Sequence, residues 1–144
     1  RSNTARGVAA TGVSAARNNT GKNTVAVGFN TGRENTGRFT TAAGFAAARE
    51  NTGNNTVAIG SNAARGGALA DPTTMGDDNI GIGVSAIRNN QASGLIAIGQ
   101  EAGINAQQDD QLIITDRNGN RRMVMDLTNG GLKIDGSLTQ NATL

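Results

Sequence analysis

Residues 23–38 read NTVAVGFNTGRENTGR, and the chain repeats this stretch twice with the same spacing. Residues 39–54 read FTTAAGFAAARENTGN, and residues 55–66 read NTVAIGSNAARG. Each unit has a short apolar run, a glycine, a run of small residues that ends in arginine, and a polar turn. A sequence repeated in this way predicts one supersecondary unit stacked on itself, so that every unit contacts only its neighbours.

The glycine of each unit marks the period of the repeat. It recurs at intervals of sixteen residues at the following positions: Gly12, Gly28, Gly44 and Gly60, and again from Gly83 to Gly99. The step from Gly60 to Gly83 is twenty-three residues, which predicts one coil with an insertion over residues 66–77. The period therefore covers roughly residues 1–108, which we expect to form one repeat region.

Each sixteen-residue unit is expected to be one coil of an all-β solenoid. At about 3.3 Å per extended residue, sixteen residues allow two strands of four or five residues and two turns. The segment Asn35-Thr36-Gly37 predicts a turn in which the asparagine side chain bonds its own backbone and the glycine is free to take a positive φ. A helix is disfavoured because glycine and β-branched residues fill the runs without a 3.6-residue stripe.

The strands are apolar on both faces. In Val25–Gly28 and Val57–Gly60, one face carries valine or isoleucine and the other carries alanine or glycine. Such a strand is expected to be buried on both sides. One coil can cover only one of those faces, and the three aromatic residues, Phe29, Phe39 and Phe45, are too few for a large core. The pattern therefore predicts a symmetric homo-oligomer.

The motif N-T-V-A-V/I-G-x-N-x-x-R resembles the head repeats of trimeric autotransporter adhesins. It is also similar to the Asn-Thr-rich repeats of phage tail fibres and of the adhesive trimer fibres of predatory bacteria. The resemblance covers roughly residues 1–108. It implies a left-handed parallel β-roll in an intertwined homotrimer, located outside the cell on a cell-surface fibre or on a virion tail.

From residue 109 the period is lost. The sequence from Gln111 to Thr115, a turn containing Asn118-Gly119, and the run from Met123 to Leu127 predict a β-hairpin. Residues 109–144 are therefore expected to form an intertwined, β-hairpin-rich tip or stalk. Their few apolar residues suit a chain wound around copies of itself.

Composition argues against several classes of function. The 144-residue chain has a net charge of +2 and contains no Cys, His, Tyr or Trp, so the usual general bases and thiolate nucleophiles are missing. We therefore expect a non-catalytic protein without a cofactor. The aspartate pairs at residues 77–78 and 109–110 are interpreted as charged loop ends, not as a metal site. Nucleic-acid motifs and an apolar stretch near twenty residues are also missing, so we predict neither nucleic-acid binding nor membrane insertion.

An arginine column is the strongest candidate for ligand contact. Stacking at a fixed period places its members about 4.8 Å apart. They are Arg17, Arg33, Arg49, Arg65 and Arg88. The column predicts a groove for an anionic surface glycan or another polyanion. Alternatively, the arginine stems cover the small-residue runs and keep the rod soluble.

Two further segments supply candidate contacts. Loops that project from rigid scaffolds often bind ligands. We therefore take Asp71, Thr73 and Thr74 in the insertion as candidate ligand contacts. Alternatively, it folds onto a neighbouring subunit, since Leu69 and Met75 are unusual in a free loop. If residues 109–144 form a tip, its turn contributes a third set: Arg117, Asn118, Asn120 and Arg121.

Together these observations predict a non-catalytic segment of a trimeric attachment fibre. It would adhere to or recognise a cell surface, through a glycan or another surface polymer. The alternative is a purely structural shaft that presents a separate binding domain.

Overall fold

The computed structural model describes residues 5–66 and 75–135, and within these ranges the regular secondary structure is entirely β. The strands are β1 (Ala9–Thr11), β2 (Val25–Val27), β3 (Thr41–Ala43), β4 (Val57–Ile59), β5 (Ile80–Ile82), β6 (Ile96–Ile98), β7 (Gln111–Thr115), β8 (Arg121–Asp126) and β9 (Leu132–Ile134). They form one sheet in sequence order.

The register of this sheet is that of a solenoid. Val25 pairs with Thr41, and Thr41 pairs with Val57, so each parallel step advances the chain by one repeat. Val57 pairs with Ile80, which shows that the longer coil rejoins the ladder without a shift of register. The predicted β-solenoid is confirmed.

Within the described residues each coil contains one strand of three residues, and the prediction of two longer strands was wrong. The side of the coil opposite β2 has alternating backbone conformations, with φ of 54° at Asn30, 60° at Gly32 and 57° at Glu34. The N–H groups of Asn30 and Glu34 donate to the preceding coil, and that of Gly32 donates to the following coil. This side therefore bonds both neighbouring coils without β geometry.

The solenoid interior is narrow and is filled by small side chains. In β2 to β6 the middle residue points inward, towards the residue six positions later. The strand residues are Ala26, Ala42, Ala58, Gly81 and Ala97, and their opposing residues are Gly32, Ala48, Ala64, Ile87 and Gly103; all ten are buried. Only Ile87 is large, and it faces Gly81, where an added Cβ would lie 2.5 Å from Ile87 Cγ1.

Buried asparagines form a ladder at one corner of the coils. Asn35 Nδ2 donates to Asn19 Oδ1 and Asn51 Nδ2 donates to Asn35 Oδ1, both at 2.9 Å. Asn35 Nδ2 also donates to the Gly37 carbonyl at 2.9 Å, which confirms the predicted bond from the side chain to its own turn. All three asparagine side chains are fully buried.

Gly37 does not use its freedom to take a positive φ. The positive φ lies two residues later, at Phe39, where it is 54°. Glycine is needed at position 37 because a Cβ there would collide with the carbonyl oxygen of Gly53 in the next coil. Close approach between coils, not turn conformation, fixes this residue.

After the last parallel step the sheet becomes antiparallel. β7 pairs with β8 across the turn at residues 116–120, and β8 pairs with β9. Ile113 of β7 is fully buried, and Val124 of β8 packs against the solenoid core. The sheet thus passes without a break from residues 1–108 into residues 109–144. In the described part of the chain, no helix is long and apolar enough to cross a membrane.

Candidate binding surfaces

An apolar ribbon runs along the outer face of the sheet. It consists of the first and third residue of each three-residue strand and their partners in the longer strands. One column is Ala9, Val25, Thr41, Val57, Ile80, Ile96, Leu112, Met125 and Leu132, and the other is Thr11, Val27, Ala43, Ile59, Ile82, Ile98, Ile114, Met123 and Ile134.

The ribbon is exposed in the single chain. Val27 is 48% exposed, Ile59 43% and Ile98 40%, although these are side chains that usually lie in protein cores. Nine strands about 4.8 Å apart make the ribbon about 38 Å long, and three residues make it about 10 Å wide, or roughly 380 Å² in all. A contiguous apolar patch of a few hundred Å² without a charged side chain is typical of an interaction surface.

Phenylalanine side chains lie next to the ribbon. Phe29 and Phe45 directly follow the corner glycines after β2 and β3, and their rings stack at 5.4 Å between centroids with 4° between their planes. Phe39 precedes β3, and the Arg38 guanidinium carbon lies 6.0 Å from the centroid of its ring. All three rings are about half exposed.

The arginine column is partly neutralised by glutamates. Arg33 contacts Glu34 at 2.9 Å and Arg49 contacts Glu50 at 2.8 Å, each through NH2 and Oε1. No ion pair is found for Arg17, Arg65 or Arg88 within residues 5–66 and 75–135. The positive charge of the column is therefore concentrated at its two ends.

Buried Nε atoms recur in the same column, although the arginine side chains are partly exposed. The Nε atoms of Arg17, Arg49 and Arg88 are inaccessible to solvent and have no hydrogen-bond acceptor in the described part of the chain. A buried N–H without an acceptor costs about 1–3 kcal/mol. These three Nε atoms are closed off by the chain itself, so only the terminal nitrogens of the arginines can meet an outside ligand.

The insertion is the second predicted site. Asp71, Thr73 and Thr74 lie outside the described residues. Met75, which was considered for contact with a neighbouring subunit, packs in the chain's own core and is 4% exposed. Its backbone N–H donates to Thr52 Oγ1 at 2.7 Å, so the chain is bonded to the preceding coil again from residue 75.

The turn between β7 and β8 is the third predicted site, and it is organised around Asp116. The Asp116 carboxylate accepts hydrogen bonds from the backbone N–H groups of Asn118 and Asn120, from the Asn120 side chain and from Arg122. These bonds, above all that from the Asn120 side chain, hold the pKa of the Asp116 carboxyl well below its usual range. Arg117 and Arg121 are exposed on either side of this turn.

A polar groove lies beside the same turn, on β8 and β9. It has a volume of about 540 Å³ and is lined by Gln108, Gln111, Asn120, Arg121, Arg122, Met123, Val124, Lys133 and Asp135. Arg122 is bound to Asp116 and lies 3.7 Å from Asp135, so Arg121 and Lys133 carry the remaining positive charge. The structure thus brings Asn120 and Arg121 together in one concave surface, while Arg117 and Asn118 do not line it.

The aspartate pairs act as links between coils. Asp77 Oδ1 accepts the backbone N–H of Asn54 at 2.7 Å, and Asp109 Oδ1 accepts that of Ser93 at 2.8 Å. Within the described ranges, no group of three or more acidic side chains is arranged to hold a metal ion.

Sequence reasoning missed the buried polar ladder. Asn19, Asn35 and Asn51 stand sixteen residues apart, each directly before a threonine. Thr36 is exposed, whereas Asn35 is fully buried. The period alone could have drawn attention to these asparagines, but it does not distinguish a buried column from an exposed one.

No known family matches. A scan of protein-family models, a search of curated proteins and a search of solved structures each found no significant similarity to this chain. The interpretation of the surfaces therefore depends on their own chemistry.

Proposed function

We propose that this chain is a non-catalytic segment of a homotrimeric attachment fibre of the left-handed β-roll type. The observation that carries the proposal is the apolar ribbon, which extends over all nine strands and whose side chains are exposed or half-buried in the single chain. Three copies around one axis can turn their ribbons towards each other and remove this surface from water. At about 25 cal/mol per Å², roughly 380 Å² per copy corresponds to at most about 9.5 kcal/mol before the entropic cost of association.

In this proposal the solenoid is the shaft of the fibre, and residues 109–144 form an intertwined tip or stalk. The fibre works outside the cell, on a cell surface or a virion tail. It has neither a cofactor nor a catalytic centre, and it does not insert into membranes or bind nucleic acid. Its rigidity comes from the stacked backbone ladder and the buried asparagines, which need no disulfide.

Attachment itself is proposed to use an anionic surface polymer, such as an acidic glycan. Arg17, Arg65 and Arg88 are the arginines of the column without a carboxylate partner in the described residues, so they contribute most of its attraction. The polar groove with Arg121 and Lys133 offers a second cationic surface. The contacts Asp71, Thr73 and Thr74 in the insertion remain predictions.

The alternative is a structural shaft that presents a separate binding domain. One observation favours it: the glutamates beside Arg33 and Arg49 neutralise the middle of the column, where a ligand spanning several coils would lie. A shaft would need only the ribbon and the ladder.

Sedimentation equilibrium tests the assembly. We expect a trimer at micromolar concentration, and a folded monomer would refute the proposal. Ile59→Asp places a charge in the ribbon and should give a monomer or an unfolded chain. Thr36→Asp, at an exposed turn position, is the matched control and should remain trimeric.

Retention on heparin and a glycan array test attachment. Arg17→Gln and Arg88→Gln should each lower the salt concentration needed for elution. Glu50→Gln should raise it, because it frees Arg49. Elution unaffected by all three changes, together with an array without binding, would favour the structural shaft over attachment through this surface.

A further inference from the structure

Two asparagines of the chain precede a glycine, and both lie in turns of the antiparallel part of the sheet. Asn118-Gly119 lies between β7 and β8, and Asn129-Gly130 lies between β8 and β9. Both asparagine side chains are exposed. A glycine has no side chain to shield its backbone nitrogen, so this nitrogen can reach the Cγ atom of the preceding asparagine. Both positions therefore meet the first requirement for loss of the side-chain amide.

The reaction needs no reagent other than water. The Gly119 nitrogen attacks Asn118 Cγ, so that a new N–C bond closes a succinimide ring while the Cγ–Nδ2 bond breaks. The amide nitrogen leaves as ammonia, and it gains through the solvent the proton that the glycine nitrogen loses. Water then opens the ring at either carbonyl, which gives aspartate or isoaspartate.

An aspartate organises each turn, but it holds a different asparagine in each. In the second turn, Asp126 Oδ2 accepts a hydrogen bond from Asn129 Nδ2 at 3.0 Å. In the first turn, Asp116 Oδ2 accepts a hydrogen bond from Nδ2 of Asn120, which does not precede a glycine. The carboxamide of Asn118 has no hydrogen-bond partner in the described part of the chain; its backbone N–H donates to Asp116 Oδ1.

This difference decides which of the two asparagines reacts. The carboxamide must turn until its Cγ atom faces the glycine nitrogen. Asn129 loses its hydrogen bond to a carboxylate when it turns, whereas Asn118 turns without such a loss. We infer that Asn118 is a site of spontaneous deamidation in the folded chain, and that Asp126 protects Asn129 from the same reaction.

Access to the glycine nitrogen alone predicts the opposite order. A Cβ added at Gly130 would have no atom within 4 Å, whereas a Cβ added at Gly119 would lie 3.4 Å from Glu101 Oε2. The turn that contains Gly130 is thus the more open of the two, and openness would make Asn129 the faster site. The order of the two rates therefore distinguishes anchoring of the carboxamide from exposure of the turn.

Deamidation changes the charge and the shape of the first turn. It adds one carboxylate to a chain whose net charge is +2, directly beside Arg117. Isoaspartate also adds a carbon atom to the backbone, which displaces the N–H group that Asn120 donates to Asp116 Oδ1 at 3.0 Å. The modified turn should attract an anionic polymer less strongly. That consequence rests on the proposed function, whereas the reaction itself does not.

Peptide mapping by mass spectrometry tests the inference on the full chain, incubated in its folded state at mildly alkaline pH. We expect Asn118 to lose its amide roughly three- to ten-fold faster than Asn129, the effect of an exposed hydrogen bond to a carboxylate. The control is the same chain unfolded in urea. There neither turn is formed, so the two sites should react at similar rates.

A matched variant tests the protection. Asp126→Asn removes the charged acceptor with little change in shape, and it should accelerate the reaction at Asn129 and leave the rate at Asn118 unchanged. Circular dichroism establishes that the variant is folded. The inference would be overturned by an Asn129 that reacts as fast as Asn118 in the folded wild-type chain, or by an Asn118 that keeps its amide while the unfolded chain loses both. An unchanged rate at Asn129 in the folded variant would overturn the role of Asp126.

Discussion

Gly81→Ala should lower the free energy of unfolding when residue 87 is isoleucine and raise it when residue 87 is alanine. Ile87 is fully buried and has a φ of 49°, a left-handed conformation that is unfavourable for a β-branched side chain. An alanine Cβ at position 81 would lie 2.5 Å from Ile87 Cγ1 and 2.9 Å from its Cδ1. Carbon atoms in good contact are about 3.5–4.0 Å apart, so one of the two residues must move by about 1 Å.

The magnitudes follow from the packing. Overpacking of this kind costs about 1–3 kcal/mol, partly offset by about 0.4–1 kcal/mol from the lower entropy of the unfolded chain. Ile87→Ala alone should cost about 2–5 kcal/mol through the cavity that it leaves, reduced by about 1 kcal/mol of relieved backbone strain. The double variant recreates the alanine pairs found at Ala42 and Ala48 in another coil, so Gly81→Ala should be stabilising once Ile87 is replaced.

The assay is urea unfolding of the four proteins of this double-mutant cycle, at one fixed chain concentration. We expect a coupling energy of about 1–3 kcal/mol between the two positions, with Gly81→Ala changing sign. The reasoning would be refuted by Gly81→Ala effects that agree within about 0.5 kcal/mol in the two backgrounds. Such agreement would mean that the two residues do not share one layer of the core.

Three further predictions use the same unfolding measurements. Gly60→Val should be far more destabilising than Arg33→Ala, because a side chain at Gly60 would collide with the Gly83 carbonyl oxygen at a φ of 129°. Arg33→Ala removes one partly exposed ion pair with Glu34, and such pairs contribute about 0–1 kcal/mol. Equal melting temperatures of the two variants would contradict this. Asn35→Leu should cost at least about 2 kcal/mol, because it leaves the adjoining buried amide and carbonyl groups unpaired, and a loss under 0.5 kcal/mol would show that the ladder is dispensable. Folding lowers the pKa of the Asp116 carboxyl, so its ionised form stabilises the fold above its unfolded pKa near 4, and this stabilisation is lost as the pH falls below that value. Asp116→Asn should therefore flatten the decline of the free energy of unfolding below about pH 4. Parallel pH profiles of the two proteins would contradict this.

The sequence by itself determined that the chain is a β-solenoid. A period of sixteen residues, a step of twenty-three residues at one coil and the glycine at each corner were sufficient for this, because stacked coils can keep one register only if equivalent residues recur at equivalent places. The period also located the arginine column, whereas the parallel ladder continues past residue 108 into β7. The period did not show whether a given column lies inside the core or on the surface.

Only the tertiary structure decided which face of each strand lies inside. The sequence shows valine or isoleucine on one face and alanine on the other, and hydrophobicity alone favours the larger residues for the core. The coil is too narrow for them: a middle residue such as Ala26 faces Gly32 directly, and that space holds little more than methyl groups. Alanine therefore fills the interior and the branched residues form the outer ribbon. Asn35 is likewise buried, while Thr36, its neighbour in the chain, is exposed to water. Contacts between coils decide this difference, and the sequence of one repeat does not contain them.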